Sequence, residues 1–325
     1  MSVEHPAARR RAGPSAEDDP PIELDAAAAA WQADGWVLVP ELIPTADVGE
    51  ALGELADHDL PASPATSPSR RRFETDDGPD AGGPAFRRDQ FSGTSLFPVP
   101  GAPRLNRLFV HPRLVRFAER VLQTEDIRIY QSRIWSKYAG RVDYEQPLHR
   151  DLNHSLVPTR SEPGWWHLEC FVYLNDVAID TGAPRLVPRS KIIEEPVSTR
   201  PQPPEAAEEL YAAEVAAPGP AGSVLAYRSD VWHRGTDITR PGAERHVLVV
   251  AFKPAGLDWI GYDPHPPLSI NADFIEFVAG STPRDLALFG VPPPNHSYWT
   301  AATLDAMAAQ YPGLDLDPWR AGLPC

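Results

Sequence analysis

Gln146-Pro-Leu-His-Arg-Asp-Leu-Asn-His-Ser155 is the stretch around which this chain is organised. His149 and Asp151 stand two apart, and on an extended segment two such residues project from the same side. Together they offer an imidazole nitrogen and a carboxylate oxygen to one point. Closing a metal face needs a third donor. The best candidate is His233, in Val231-Trp-His-Arg-Gly235, which follows the apolar strand Ser223-Val-Leu-Ala-Tyr227. Two histidines and one carboxylate, with further positions open, suit non-haem Fe(II), although the same donors also accept Zn or Mn.

Twelve residues beyond His233, Arg245 opens Arg-His-Val-Leu-Val-Val-Ala-Phe252, which reads as a buried strand. An arginine at the mouth of an apolar strand is costly unless it meets an anion. Its planar fork suits a carboxylate, either a ligand's or that of a structural Asp or Glu. Upstream, Asp126 to Tyr138 also reads as a strand. Strict alternation puts Ile127, Ile129, Gln131, Arg133, Trp135 and Lys137 on one face and Tyr130 on the other. Polar Gln131 and Lys137 among apolar neighbours on an inward face are candidates for holding a cosubstrate.

These segments, in this order, resemble the phytanoyl-CoA dioxygenase family of Fe(II)/2-oxoglutarate-dependent oxygenases. Ala33-Asp-Gly-Trp-Val-Leu-Val-Pro-Glu-Leu-Ile43 resembles its opening Asp-Gly-aromatic segment. Ser136-Lys-Tyr-Ala-Gly140 resembles the Lys-Pro-x-Gly piece before its His-x-Asp. Asp180-Thr-Gly-Ala-Pro-Arg-Leu-Val-Pro-Arg-Ser-Lys191 resembles its Asn-Gly-x-Leu-x-x-x-Pro-Gly-Ser-His signature, with Arg189 and Lys191 replacing Gly and His. Ala221 through Arg245 resembles its distal His and Arg block. The resemblance implies a mainly β fold with flanking helices, built on a double-stranded β-helix (a cupin-like jelly roll). It implies Fe(II) on His149, Asp151 and His233, and 2-oxoglutarate chelating that iron with its far carboxylate on Arg245. Lys137, and less directly Gln131, would support the cosubstrate, and dioxygen would take the remaining position. Related halogenating enzymes carry a small residue where Asp151 stands, so hydroxylation or another oxidation is expected.

The rest of the chain is read around that centre. The 325 residues suggest one large domain with an appendage. Residues 1–24 read as a disordered tail, 25–255 as the oxygenase domain, and 256–325 as a helical, Pro-rich extension packed on the core. Arg9-Arg-Arg11 is followed by no apolar run, so neither an export signal nor a membrane span is expected. A net charge of -15 without a basic stripe argues against nucleic acid. Two cysteines exclude a disulfide framework and fit a reducing cytoplasm. The partner expected is a small organic molecule.

Residues 61–86 form a long loop that could act as a lid, with Arg70-Arg-Arg72 inside it. Helices are expected over 26–33, from Thr45, over 103–124, near 206–215 and from Thr300. The strand His167-Leu-Glu-Cys-Phe-Val-Tyr-Leu174 puts His167, Glu169, Phe171 and Tyr173 on one face. Arg150, Asn153 and Trp166 are candidate substrate contacts, and Glu169 a candidate partner to the metal ligands. His265 and His296, in Pro-rich loops, read as solvated. Two other functions share these features: a cupin-type metal enzyme that uses no 2-oxoglutarate, and a non-catalytic metal- or small-molecule-binding barrel.

Overall fold

The computed structural model describes residues 24–57, 95–139, 145–157, 164–192 and 200–323. Residues 1–23 of the tail expected over 1–24, the lid expected over 61–86 and Gly140 lie outside the described residues, and Leu24 opens α1 rather than closing a tail. In chain order the elements are α1 (Leu24–Asp34), β1 (Trp36–Val39), α2 (Thr45–Asp57), β2 (Ser95–Leu96), α3 (Pro103–Leu108), α4 (Pro112–Leu122) and β3 (Ile127–Tyr138). There follow β4 (Leu168–Tyr173), β5 (Arg185–Leu186), α5 (Glu208–Ala213), β6 (Val215–Ala216), β7 (Val224–Arg228), β8 (His233–Arg234) and β9 (Glu244–Pro254). The chain closes with α6 (Ala272–Ala279), α7 (Pro283–Ala287), α8 (Ala301–Gln310) and α9 (Asp317–Ala321).

Where one helix over 103–124 is expected, the structure has two, α3 and α4. Pro112 lacks an N–H and pushes the residue before it out of the helical region. His111 accordingly takes an extended conformation (ψ 129°) and accepts the Arg113 N–H at the start of α4.

The strands form a six-stranded sheet in the order β1-β7-β4-β9-β3-β2 and a three-stranded sheet in the order β6-β5-β8, with every neighbouring pair antiparallel. Alternation along each strand divides the large sheet between two environments. Leu168, Cys170, Val172, Leu248, Val250 and Phe252 face the helices and share a core with Trp31, Phe117 and Leu114. Phe171, Tyr173, Leu225, Tyr227, Val247 and Val249 face the other way, toward the small sheet's Leu186.

The extension packs on the helical side: Phe274, Phe277, Leu304 and Trp319 belong to the same core as α1 and α4. Trp319 is 1% exposed. Trp319→Ala is therefore expected to cost about 3–5 kcal/mol, read as a lowered denaturation midpoint. No helix among the described residues is long and apolar enough to cross a membrane.

β3 is not a regular strand. Its register with β9 runs Ile129 to Phe252 and then Gln131 to Ala251, which leaves Tyr130 as an inserted bulge residue. The bulge reverses the alternation. Ile127 and Ile129 face the helical core, while Gln131, Arg133, Trp135 and Lys137 face the other side together with Tyr130. The single face expected for all six residues, with Tyr130 opposite, is thereby corrected.

Candidate active site

His149 and His233 face one another across an antiparallel bridge, each backbone N–H donating to the other's carbonyl at 2.9 Å. The Asp151 N–H donates to the Ser229 carbonyl at 2.8 Å. Backbone pairing thus pins the two segments that carry the three side chains. His149 Nδ1 lies 3.0 Å from the Pro147 carbonyl, and His233 Nδ1 lies 2.9 Å from the Val231 carbonyl. A carbonyl only accepts, so both Nδ1 atoms carry protons, and each Nε2 has a lone pair when its ring is neutral. The Nε2 atoms of His149 and His233 lie 3.9 and 3.3 Å from the two Asp151 carboxylate oxygens. One ligand atom from each of the three residues falls within 4.8 Å of the others. The Tyr227 hydroxyl donates to Asp151 Oδ2 at 3.1 Å and orients the carboxylate.

Burial, reinforced by the nearby His233, lowers the His149 pKa to about 4, so this ring is neutral at pH 7. Burial alone would raise Asp151, but the charge and hydrogen bond of His233 hold it below the usual carboxylate range. Burial alone would lower His233, but Asp151 raises it instead. A divalent cation taking both Nε2 atoms and Asp151 must displace whatever proton His233 holds against Asp151, while His149, its pKa lowered to about 4, has none to lose at pH 7. Metal binding is expected to release the proton that His233 holds below its raised pKa, and to tighten as pH rises through that pKa. Calorimetry in buffers of different ionisation enthalpy measures this. An affinity independent of pH, with no proton released, would contradict it.

Arg245 and Lys137 are direct cross-strand partners on β9 and β3. Arg245 is 4% exposed. One of its Nη groups donates to the Gly182 carbonyl, and its buried Nε has no partner. Gly182 has φ +79°, and a Cβ there would meet the Thr236 carbonyl at 2.8 Å, so glycine lets the chain pass this close. No carboxylate among the described residues pairs with Arg245. Burial lowers its pKa to about 10. Burial and the charge of Arg245 together push Lys137 well down, and its Nζ lies 3.4 Å from the Thr236 carbonyl. A buried guanidinium that no carboxylate among the described residues neutralises, with the half-buried Lys137 across the strand pair, leaves an electrostatic deficit that a carboxylate ligand relieves.

The other expected residues scatter. Gln131 stands six positions before Lys137 on an extended strand, roughly 20 Å at about 3.3 Å per residue, so it does not share an anion with Lys137 and Arg245. It is 2% exposed, and its buried Oε1 has no hydrogen-bond partner among the described residues. Trp166 packs edge-on against Trp31 at 5.3 Å in the helix-side core and lies beneath Arg228, which is a packing role. Asn153 is exposed. The half-buried Arg150 stacks on Trp232 at 4.5 Å. His265, expected in solvent, is 8% exposed and bonds Ser132 Oγ at 3.0 Å.

A buried polar group went unread as a unit. His154 Nδ1 lies 2.8 Å from Glu169 Oε1, the Tyr130 hydroxyl donates to the same oxygen, and His167 joins that hydroxyl at 2.6 Å and Ser229 at 2.6 Å. Against the cost of burial, Glu169 raises His154 to about 9, and burial lowers His167 to about 4. The sequence signal was His167 and Glu169 sharing one face of a largely apolar strand.

The family model for phytanoyl-CoA dioxygenase matches residues 31–247. Among solved structures, the non-haem α-ketoglutarate-dependent epimerase SnoN from nogalamycin biosynthesis is 20% identical over 76% of this chain and 91% of its own, with a TM-score of 0.49. The non-haem α-ketoglutarate-dependent carbocyclase SnoK of the same biosynthesis is 18% identical over 75% of this chain and 88% of its own, with a TM-score of 0.48. AviO1 from Streptomyces viridochromogenes Tue57 is 15% identical over 76% of this chain and 100% of its own, with a TM-score of 0.48. No curated protein sequence matches. The family match defines an enzyme of the Fe(II)/2-oxoglutarate-dependent oxygenase class. The chain belongs to the phytanoyl-CoA dioxygenase family.

Proposed function

We propose that this protein oxidises, by hydroxylation, an unactivated C–H bond of a small organic substrate at a centre formed by His149, Asp151 and His233. The observation that carries this reading is the convergence of the three donors within 4.8 Å. The donor set fits iron: two imidazoles with Nδ1 tied to carbonyls and Nε2 turned inward, plus one ionised carboxylate. Bound Fe(II), 2-oxoglutarate and dioxygen supply the oxidising chemistry, in which cosubstrate decarboxylation to succinate is coupled to substrate oxidation.

The protein supplies position and environment. Tyr227 orients Asp151, and the Pro147 and Val231 carbonyls fix the imidazole tautomers. Arg245 receives the cosubstrate's distal carboxylate, supported by Lys137. Phe171, Leu225, Val247 and Val249 keep the surrounding face dry. The two antiparallel sheets support a double-stranded β-helix, with the jelly-roll domain over 25–255 and the remainder an extension on its helical side. The free, buried Cys170 is in keeping with a reducing cytoplasm.

Calorimetric titration of 2-oxoglutarate into Fe(II)-loaded protein under anaerobic conditions tests the reading. Binding that requires the metal supports it. Absence of binding would move a cupin-type enzyme without this cosubstrate to the front.

A further inference from the structure

The buried polar group beside the metal centre closes on Asp151 from both sides. The Asp151 N–H donates to the Ser229 carbonyl at 2.8 Å, and the Ser229 hydroxyl lies 2.6 Å from His167 Nε2. His167 Nδ1 lies 2.6 Å from the Tyr130 hydroxyl, which donates to Glu169 Oε1. That oxygen lies 2.8 Å from His154 Nδ1, and the His154 N–H donates to the Asp151 carbonyl at 3.2 Å. The path therefore leaves the backbone of Asp151 through its N–H and returns through its carbonyl. A further arm reaches the carboxylate itself: Tyr227, which donates to Asp151 Oδ2, is the direct cross-strand partner of Glu169.

The protons along this path run one way. A carboxylate only accepts, so the single Tyr130 proton is committed to Glu169. The Tyr130 oxygen then accepts from His167 Nδ1, and Nε2 of that neutral ring accepts the Ser229 proton. Tyr130 thus joins the Ser229 arm to the Glu169 arm. It stands there because of the bulge in β3, since strict alternation would turn it to the helical side. Asp263 holds the bulge in place. Its N–H donates to the Tyr130 carbonyl at 2.9 Å, and its carboxylate accepts the Ser132 N–H at 2.9 Å and the Arg133 Nε–H at 3.1 Å.

Stability alone does not account for such a circuit. Tyr130, His154, His167, Glu169 and Ser229 are each at most 6% exposed. Polar groups buried to that degree are costly unless hydrogen-bonded, and when satisfied they can be exchanged for apolar groups of the same shape at little loss. The cosubstrate does not account for it either, because Lys137 and Arg245 pair toward the other end of β3 and β9. What the members have in common is that the path they form begins and ends on Asp151.

We propose that Tyr130, His154, His167, Glu169 and Ser229 are positioning residues that hold Asp151 for the metal, with Tyr130 joining the two halves of the circuit. The inference rests on the reading of the triad as a metal centre.

The test titrates Co(II) into the metal-free full chain and its variants, and reads affinity, the ligand-field absorption of the bound ion, and Tm. Tyr130→Phe keeps the ring and removes the hydroxyl. It is expected to weaken Co(II) binding on the order of ten- to hundredfold, as for loss of an outer partner of a metal ligand, and to shift the absorption. Ser229→Ala opens the circuit at a second point and should weaken binding by a similar factor, so either folded variant carries the test. The double variant should be no weaker than the weaker of the two single variants, because one break already opens the circuit. Cys170→Ala leaves a void on the helical face of β4 and should lower Tm while binding Co(II) as the parent does. Parental affinity and absorption in folded Tyr130→Phe or Ser229→Ala would overturn the proposal. So would effects that multiply in the double variant, or a Cys170→Ala protein whose affinity falls with its Tm. A His233→Ala protein that binds Co(II) as tightly as the parent is a separate result, and it removes the triad reading beneath.

Discussion

His149→Ala and Asp151→Ala each reduce 2-oxoglutarate turnover to the background of metal-free protein. The expectation follows from how little redundancy the site has. His149 and His233 are fixed opposite each other by paired backbone hydrogen bonds, and Asp151 reaches the same point from two residues away. No other His, Cys, Asp or Glu among the described residues joins this cluster. His154, the nearest spare imidazole in sequence, is bonded to Glu169. Removing one donor leaves two, too few to hold the cation against solvent at ordinary concentrations. Metal content, measured beside activity, separates the explanations. A variant with full metal content and parental turnover would falsify the assignment of the triad.

Arg245→Ala raises the 2-oxoglutarate concentration needed for half-maximal turnover tens- to thousand-fold while leaving the metal requirement nearly in place. Arg245 is a buried guanidinium whose Nε has no partner and which no carboxylate among the described residues neutralises. A desolvated, charge-assisted contact of this kind costs on the order of 2–5 kcal/mol to lose. Lys137, directly across the strand pair, keeps part of the attraction, which places the expected result short of complete loss. An unchanged cosubstrate requirement would return Arg245 to a purely structural role. Arg245→Lys is expected to rescue only partly, because an ammonium does not reproduce the planar fork.

The convergence of His149, Asp151 and His233, and a buried Arg245, were legible because their signals are local. Spacing of two on an extended segment fixes a shared side, and a charged residue at the head of an apolar strand stands out whatever surrounds it. What failed to show in the sequence depended on non-local geometry. Nothing in Ile-Arg-Ile-Tyr-Gln announces a bulge, because bulges are set by how a strand meets its partner, here β9. That single insertion moved Tyr130 to the functional side and turned Ile127 and Ile129 toward the helices. Gln131 and Lys137 kept a common face but not a common location, since alternation says nothing of distance along the strand. Trp166 carried a plausible signal for a pocket wall, and Trp31, far away in sequence, decided otherwise. The break at Pro112, by contrast, was readable from the proline alone.

The most direct test exposes anaerobically purified, Fe(II)-loaded protein to air with 2-oxoglutarate and quantifies succinate, with His233→Ala in parallel. The expected result is succinate from the parent protein, slow without the organic substrate, and none above background from His233→Ala. Equal succinate from both proteins, or none from a parent that holds its metal and cosubstrate, would contradict the central claim.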